Sequence, residues 1–327
     1  MLARPTKRIV CLGEILIDFV PEENGRPLSQ VPAFQRAAGG APANVAAAVA
    51  RLGGSSRFIG KIGRDPFGRY LHGTLEDAGV EAALVETDAA RTGLAFVSLR
   101  ENGERDFLFY RGPAADMLLE PAELHAAWLD DAAVYHFGSV SLIADPCRAA
   151  TLEAARRVKA AGGLISYDPN LRPALWPDEE TMRRVVLEHI GLADVVKVSE
   201  EEAAFLAGKE PPEAVQYLLG LGAKALVVTL GENGCCVLTR TAMTSIPGVR
   251  VKAVDTTGAG DSFVGAMLLK LVEHGITAES IESALTDEDT VRDIFSFANK
   301  AGAFTTTRRG AIPALPTLAE IEMLSVR

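Results

Sequence analysis

The feature that most constrains this chain is an alternation. Short, wholly apolar runs end in a glycine, serine or acid, and stretches with helical periodicity lie between them. The runs are Ile9 to Leu12 before Gly13-Glu14, Ala133 to Phe137 before Gly138-Ser139, Leu164 to Tyr167 before Asp168, Asp194 to Val198 before Ser199, and Ala225 to Leu230 before Gly231. Runs of this length suit strands covered on both faces of a parallel sheet. Asn44 to Leu52, Pro146 to Ala161 and Ser262 to His274 read as amphipathic helices. In the last of these, Phe263, Val264, Met267, Leu268, Leu271 and Val272 share one face. Gly53-Gly54, Gly162-Gly163 and Gly275 stand where helices stop. The pattern predicts an α/β fold, a three-layer α/β/α arrangement around a mostly parallel sheet. Ligands of such sheets lie beyond the carboxyl ends of the strands, so the polar residues closing each run are the ones to inspect.

One region departs from the alternation. Thr92 to Arg111 carries two β-rich runs around Glu101-Asn102-Gly103-Glu104, and Asn-Gly is a strong hairpin signal. Glu14 to Val20 and the stretch around Phe34 read as further extended segments. The expectation is a small β-sheet from segments of about 14–36 and 90–112, outside the main layer. It is an edge hairpin, a lid over the site, or a clasp for a homodimer; closure over the protein's own site would bury the same face. No repeat, low-complexity tract or linker divides the chain, so residues 1–327 read as a single domain.

Composition narrows the partners. With 33 Lys+Arg against 43 Asp+Glu in 327 residues, the formal charge is −10. A nucleic-acid surface needs a basic stripe and is excluded, whereas a nucleotide needs only a local pocket of N–H groups. Cys11, Cys147, Cys235 and Cys236 have neither disulfide-framework nor zinc spacing. They read as free thiols in a reducing cytoplasm. No signal peptide and no apolar stretch of membrane-spanning length is found. His72, His125, His136, His189 and His274 are scattered, and His136 reads as a satisfied core histidine. Trp128 and Trp176 read as packing anchors.

The strongest local signal is Asp255-Thr256-Thr257-Gly258-Ala259-Gly260-Asp261, followed by a helix from Ser262. Gly258, Ala259 and Gly260 let backbone N–H groups approach an anion, and the helix adds the positive end of its dipole. Asp261 then stands beside a phosphate site, well placed as a general base for an attacking hydroxyl. An N-cap aspartate in a glycine turn is the ordinary structural alternative. Gly39-Gly40 before Asn44 opens another helix and offers a polyhydroxy ligand close backbone and an amide. Asp18, inside an apolar run, needs hydrogen-bond partners if buried; sugar hydroxyls or a surface position would each satisfy it.

Taken together, these segments resemble the paired signatures of the ribokinase (PfkB) family of sugar kinases, and within it the fructokinases. The likeness runs from Arg8 to Pro316. It is carried also by Gly13 to Pro21, Ala95 to Arg100, Phe109-Tyr110-Arg111 with Ala114 to Leu119, and Tyr135 to Ser139. Tyr167-Asp168-Pro169-Asn170-Leu171-Arg172 with Leu175-Trp176-Pro177, and Lys197 to Glu202, complete it. The resemblance implies a ribokinase-like fold with a β lid and ATP-dependent phosphorylation of a sugar, the 6-hydroxyl of D-fructose. Asp261 would be the base and Gly258, Ala259 and Gly260 the anion hole. Asp18, Gly39, Gly40, Asn44, Arg111 and Arg172 would meet the sugar. ATP would lie along Lys197, Ser199, Glu202, Thr229, Gly231, Gly234, Gly258, Gly260 and Asn299. Glu202, from a motif whose Asn is here Ser199, would bear indirectly on Mg²⁺. Asp255, Thr257 and Gly310 would offer carbonyls to K⁺. Gly112 stands where fructokinase-like sequences commonly carry Asn. A 2-keto-3-deoxygluconate kinase, and a non-catalytic regulator binding sugar or nucleotide, are the alternatives. A dehydrogenase fails, because Gly13 leads into Glu14-Ile15-Leu16 and not a Gly-x-Gly-x-x-Gly turn.

Overall fold

The computed structural model describes residues 7–23, 25–99 and 105–324. Thirteen strands run through it: β1 Arg8–Leu12, β2 Leu16–Pro21, β3 Phe34–Gly39, β4 Ser56–Gly63, β5 Glu81–Thr87, β6 Leu94–Leu99, β7 Arg105–Tyr110, β8 Ala132–Gly138, β9 Leu164–Asp168, β10 Val195–Ser199, β11 Ala225–Thr229, β12 Gly234–Leu238 and β13 Met243–Pro247. Nine of them form one sheet in the order β13-β12-β11-β10-β9-β8-β1-β4-β5. All neighbours from β11 to β5 pair parallel, and β12 and β13 turn back antiparallel. The α/β reading holds.

Ten helices accompany them: α1 Ala41–Arg51, α2 Pro66–Asp77, α3 Cys147–Ala160, α4 Glu179–Ile190, α5 Glu200–Ala207, α6 Glu213–Gly220, α7 Ala259–Glu273, α8 Ile281–Ala284, α9 Glu288–Thr305 and α10 Leu318–Met323. Successive residues of a strand face opposite layers, and β1 divides accordingly. Ile9 and Cys11 enter a core with Val45 and Val49 of α1, Val264 and Leu268 of α7, and Phe295 of α9. Val10 and Leu12 enter the opposite core, with Ala154 and Val158 of α3 and Val186 of α4. Both layers are dry, which is why these strands read as continuous apolar runs.

The second sheet has the order β3-β2-β6-β7. β2 pairs antiparallel with β3 and parallel with β6, and β6 pairs antiparallel with β7, Leu99 opposite Arg105. The expected Asn-Gly turn between them lies outside the described residues. Phe19 stacks on Phe96 at 4.7 Å and meets Phe67 of α2 edge-on at 5.9 Å, seating the small sheet against the main body.

The structure corrects two sequence boundaries and adds strands the sequence reading lacks, β4 among them. α7 begins at Ala259, not Ser262, because Gly258 at φ 77° is already its N-cap. Asp261 therefore lies in the first helical turn. α1 likewise begins at Ala41, three residues before the expected Asn44. β4, absent from the sequence reading, is wholly buried despite Arg57 and Lys61. Arg57 is paired with Glu81 and Asp131, and Lys61 with Glu123, so its charges never reach solvent alone.

Candidate active site

The carboxyl ends of β1, β8, β9 and β10 converge on the starts of α1 and α7. Both helices are capped by a glycine at positive φ, Gly40 at 114° and Gly258 at 77°. Asp261 stands between them, 7% exposed. Its Oδ2 accepts from Asn44 Nδ2 at 2.8 Å and its Oδ1 from Asn170 Nδ2 at 3.4 Å. Burial pushes its carboxyl up to about 6; the Asn44 bond opposes the rise, Asp168 adds to it, and Arg172 and Lys197 oppose it. The N-cap of α7, Gly258, has no side chain to offer its first turn, and the Ala259 N–H reaches the Thr256 carbonyl at 3.3 Å. A carboxylate that can hold a proton near neutrality thus sits in a turn polarised for an anion.

The small sheet brings Asp18 to the same cleft, where burial raises its carboxyl to about 6, Arg172 lowers it and Asp261 raises it. Gly39 leaves room for this group: a Cβ there would lie 2.0 Å from Asp18 Oδ2. Gly40 is equally constrained, since its Cβ would meet the Glu14 carbonyl oxygen at 2.3 Å. Arg172 is exposed; its guanidinium donates to the Asn170 side chain at 2.7 Å and to the Leu171 carbonyl at 2.9 Å. Asn170 adopts a left-handed φ of 44°, which a short amide side chain tolerates. Arg111 is placed differently from the other expected sugar contacts. Its side chain is 4% exposed, and Nε donates to Asp116 Oδ2 at 2.7 Å, behind the junction of the two sheets.

Among the expected nucleotide residues, Lys197 is buried beside the α7 turn and paired with Asp168 at 3.1 Å. Its Nζ lies 3.4 Å from where a Gly260 Cβ would be. Burial works against its charge, but Asp168, Glu202 and Asp261 hold the ammonium above the usual lysine value. Ser199 and Glu202 form a capping box at α5: Glu202 N donates to Ser199 Oγ, and Ser199 N donates to Glu202 Oε2. The other Glu202 oxygen takes the Leu171 N–H at 2.6 Å. Both oxygens thus hold backbone, and the glutamate bears on the cleft through the Asn170-Leu171-Arg172 loop. Thr229 ends β11, and Gly231 and Gly234 turn the chain into β12, both at positive φ. Asn299 of α9 donates to the Ile246 and Pro247 carbonyls of β13 at 3.4 and 3.1 Å, holding that edge strand against the helix.

Asp255, Thr257 and Gly310 are brought together. Asp255 Oδ1 accepts from Thr257 N and Oγ1 at 2.9 and 2.7 Å, and Oδ2 from Gly310 N at 2.9 Å. Among the described residues no three His, Cys, Asp or Glu side chains form a metal-ligating group. His136 is buried and shares a hydrogen bond with Ser166 at 3.0 Å; burial and Lys197 depress it to about 3. It stays neutral, as a core histidine should. Trp176 is buried in the second core and Trp128 packs at its edge. The four cysteines are free, three of them buried.

Sequence reasoning quoted but did not single out Glu14, Asp168 and Asn170. Each follows the end of a core strand by no more than two residues or closes one, and that position was the available signal.

A buried carboxylate aimed by two amides, at the open start of a helix, suits moving a phosphoryl group onto a hydroxyl; this enzyme is a small-molecule kinase. Residues 6–318 match the family described as "pfkB family carbohydrate kinase", and the chain belongs to that family. It is 50% identical over 328 residues to Fructokinase-1 of Oryza sativa subsp. japonica, covering 99% of each chain. The fructokinase of Xylella fastidiosa with bound ATP superposes with a TM-score of 0.89 at 40% identity, over 98% of each chain. That of Vibrio cholerae O395, holding fructose, ADP and a calcium ion, gives 0.85 at 36% identity, over 98% of this chain and 99% of that one.

Proposed function

We propose that this enzyme is a fructokinase that transfers the γ-phosphoryl group of ATP to the 6-hydroxyl of D-fructose. One kinase domain spans residues 1–327, with the small sheet as its lid. The observation that carries the mechanism is Asp261: buried, oriented by Asn44 and Asn170, and in the first turn of a helix whose N-cap is a glycine. Its carboxylate takes the proton of the attacking hydroxyl. The N–H groups of Gly258, Ala259 and Gly260 hold charge developing on the phosphoryl oxygens, with the Lys197 ammonium behind them. Asp18, Gly39, Gly40 and Asn44 bind the sugar, with Arg172 beside its phosphorylated end. Arg111 supports this binding from behind, through Asp116. Fructose is favoured over an acidic sugar because Arg111, one of two cations that could meet a carboxylate, is already paired.

ATP lies from Lys197 past Thr229, Gly231 and Gly234 toward β13 and Asn299. Mg²⁺, when bound with ATP, would supply positive charge to offset that of the phosphates. Glu202 would bear on that ion indirectly, through the Asn170-Leu171-Arg172 loop it anchors. The gathered loops of Asp255, Thr257 and Gly310 fit a K⁺ site built from carbonyls.

ADP release with MgATP, across fructose, glucose, ribose, adenosine and 2-keto-3-deoxygluconate, tests the reading. Fructose should be preferred, and Asp261→Asn should lower kcat by at least about 10²-fold with a smaller effect on ATP binding. Preference for the keto-acid would move the assignment to that kinase. Ligand-dependent melting without turnover would mark a regulator.

The face of the small sheet that carries Phe19 also holds a concavity lined by Phe34, Leu94, Phe96, Leu108 and Tyr110, with Leu28 and Ser29 at its side. Leu108 and Tyr110 are 44% and 61% exposed. A patch of large apolar side chains across the face of a sheet fits a second copy of this chain as its cover. Sedimentation should find a dimer that Leu108→Asp with Tyr110→Asp converts to an active-site-competent monomer; an unchanged dimer would place the interface elsewhere. No helix of the described residues is long and apolar enough to cross a membrane. Four unpaired thiols fit a reducing cytoplasm.

A further inference from the structure

Helix α1 carries Asn44, yet its own start lacks the usual means of holding itself. The N-cap is Gly40, which has no side chain, and no Cβ could be accommodated there. Pro42 has no N–H to offer, and Asn44 N bonds to the Gly40 carbonyl at 2.9 Å. The Ala41 N–H is held instead from outside the helix, by Glu14 Oε1 at 3.0 Å. Glu14 is 6% exposed and follows β1 at the point where the chain leaves the main sheet for the small one. Two charged groups face it, Arg111 and Asp116, and they are paired with each other. Arg111 stands at the end of β7, where the chain leaves the small sheet again.

We propose that Glu14 is a positioning residue: it pins the first turn of α1 and thereby aims Asn44 at Asp261. Ala41 and Asn44 are three residues apart on one helix and so share a face, and a helical turn transmits a displacement of its first N–H with little loss. The path runs Glu14, Ala41 N–H, Asn44, Asp261. It rests on Asp261 being the base.

A role confined to stability would lower the melting temperature and leave the chemistry alone. A positioning role moves the base's own titration, because the Asn44 donor favours the charged carboxylate. Asp168, Arg172, Lys197 and Asp18 also face Asp261 and are untouched by the variants below. The experiment is the pH profile of kcat/KM for fructose in Glu14→Ala, Glu14→Gln, Ala41→Pro, Asn44→Ala and the double variant Glu14→Ala/Asn44→Ala. Glu14→Ala should lower kcat by about 10-fold to 10²-fold, the cost of a small misplacement, and move the acidic limb to higher pH. Asn44→Ala should move it the same way, and the double variant no further, since both act on one contact. Glu14→Gln keeps a side-chain oxygen for Ala41 and should hold the limb at its wild-type pH.

Ala41→Pro removes the N–H at a position where proline suits a helix, leaving every charge in place. It should reproduce the shift, and it keeps the test open if Glu14→Ala does not fold. A wild-type limb in both Glu14→Ala and Ala41→Pro, or a shift that adds to that of Asn44→Ala, overturns the proposal. Normal turnover of Asp261→Asn would instead remove the base itself, an outcome read independently of Glu14.

Discussion

Two helices start at the mouth of this site, and they start differently. α1 and α7 both follow a glycine at positive φ, and both put a polar side chain of the first turns against the other. At α1 the turn is closed: Glu14 takes the Ala41 N–H, Pro42 has none, and Gly40 is packed against backbone. At α7 the turn has no side-chain cap, and the buried ammonium of Lys197 lies alongside. A carboxyl oxygen already occupies the Ala41 N–H of the first start, which leaves the second as the better place for an incoming anion. In the proposed mechanism the same local geometry serves rigid placement of a neutral, hydroxyl-rich ligand at one end and charge stabilisation at the other.

Exchanging the glycines for alanine separates the two roles most sharply. Gly40→Ala meets the Glu14 carbonyl at 2.3 Å and a φ of 114°, so stability should fall by at least about 2 kcal/mol in urea melts and fructose turnover should be lost. Gly258→Ala, whose nearest neighbour is Ala311 Cα at 3.1 Å, should cost about 1 kcal/mol and raise KM for ATP more than for fructose. Equal losses in both variants would dissolve the distinction. A smaller effect is expected from Gly39→Ala, which crowds Asp18 without straining the backbone. KM for fructose should rise about tenfold, about 1.4 kcal/mol of binding, with KM for ATP unchanged. A rise in both would mean that Asp18 serves the whole cleft.

The smallest effect is one of pH. Burial raises Glu14 to about 7, and Asp18 and Asp261 to about 6, all above their unfolded values. A carboxyl raised by folding binds its proton more tightly in the native state, so its stabilisation is complete below the unfolded pKa and lost as pH rises through the folded one. The ligand-free enzyme should therefore melt at higher temperature as pH falls from about 8 to about 5, and Asp18→Asn should flatten that slope. Two of these three groups belong to the α1 side, so a slope insensitive to Asp18 and Glu14 would place the electrostatic cost at α7. Turnover should move oppositely, declining below about pH 6 as Asp261 takes up its proton.

How far these features can be read from sequence depends on what carries them. β1, β8, β9, β10 and β11 are legible because both their faces are dry. β4 is not, because Arg57 and Lys61 interrupt its apolar run while finding partners on β5 and on segments beyond β7. No local pattern announces a partner so distant in the chain. The glycine turns and Asp261 were legible as motifs, and their convergence depends on the sheet order. The paired state of Arg111 was not legible: Asp116 is near in sequence, but only the fold brings Glu14 and buries all three. The start of α7 was misjudged by three residues, because glycine and alanine beyond a left-handed cap adopt helical geometry without any apolar signature.

The small sheet is made in two excursions. Its central ladder sets β2 parallel to β6, with Ile17 opposite Leu94. Everything between them, β3, α1, β4, α2 and β5, must be threaded before the two can meet. Parallel pairing across so long a loop carries the entropy of closing it. The lid is thus no appendage that could be clipped off or grafted elsewhere. Removing either excursion would leave the other with a bare edge.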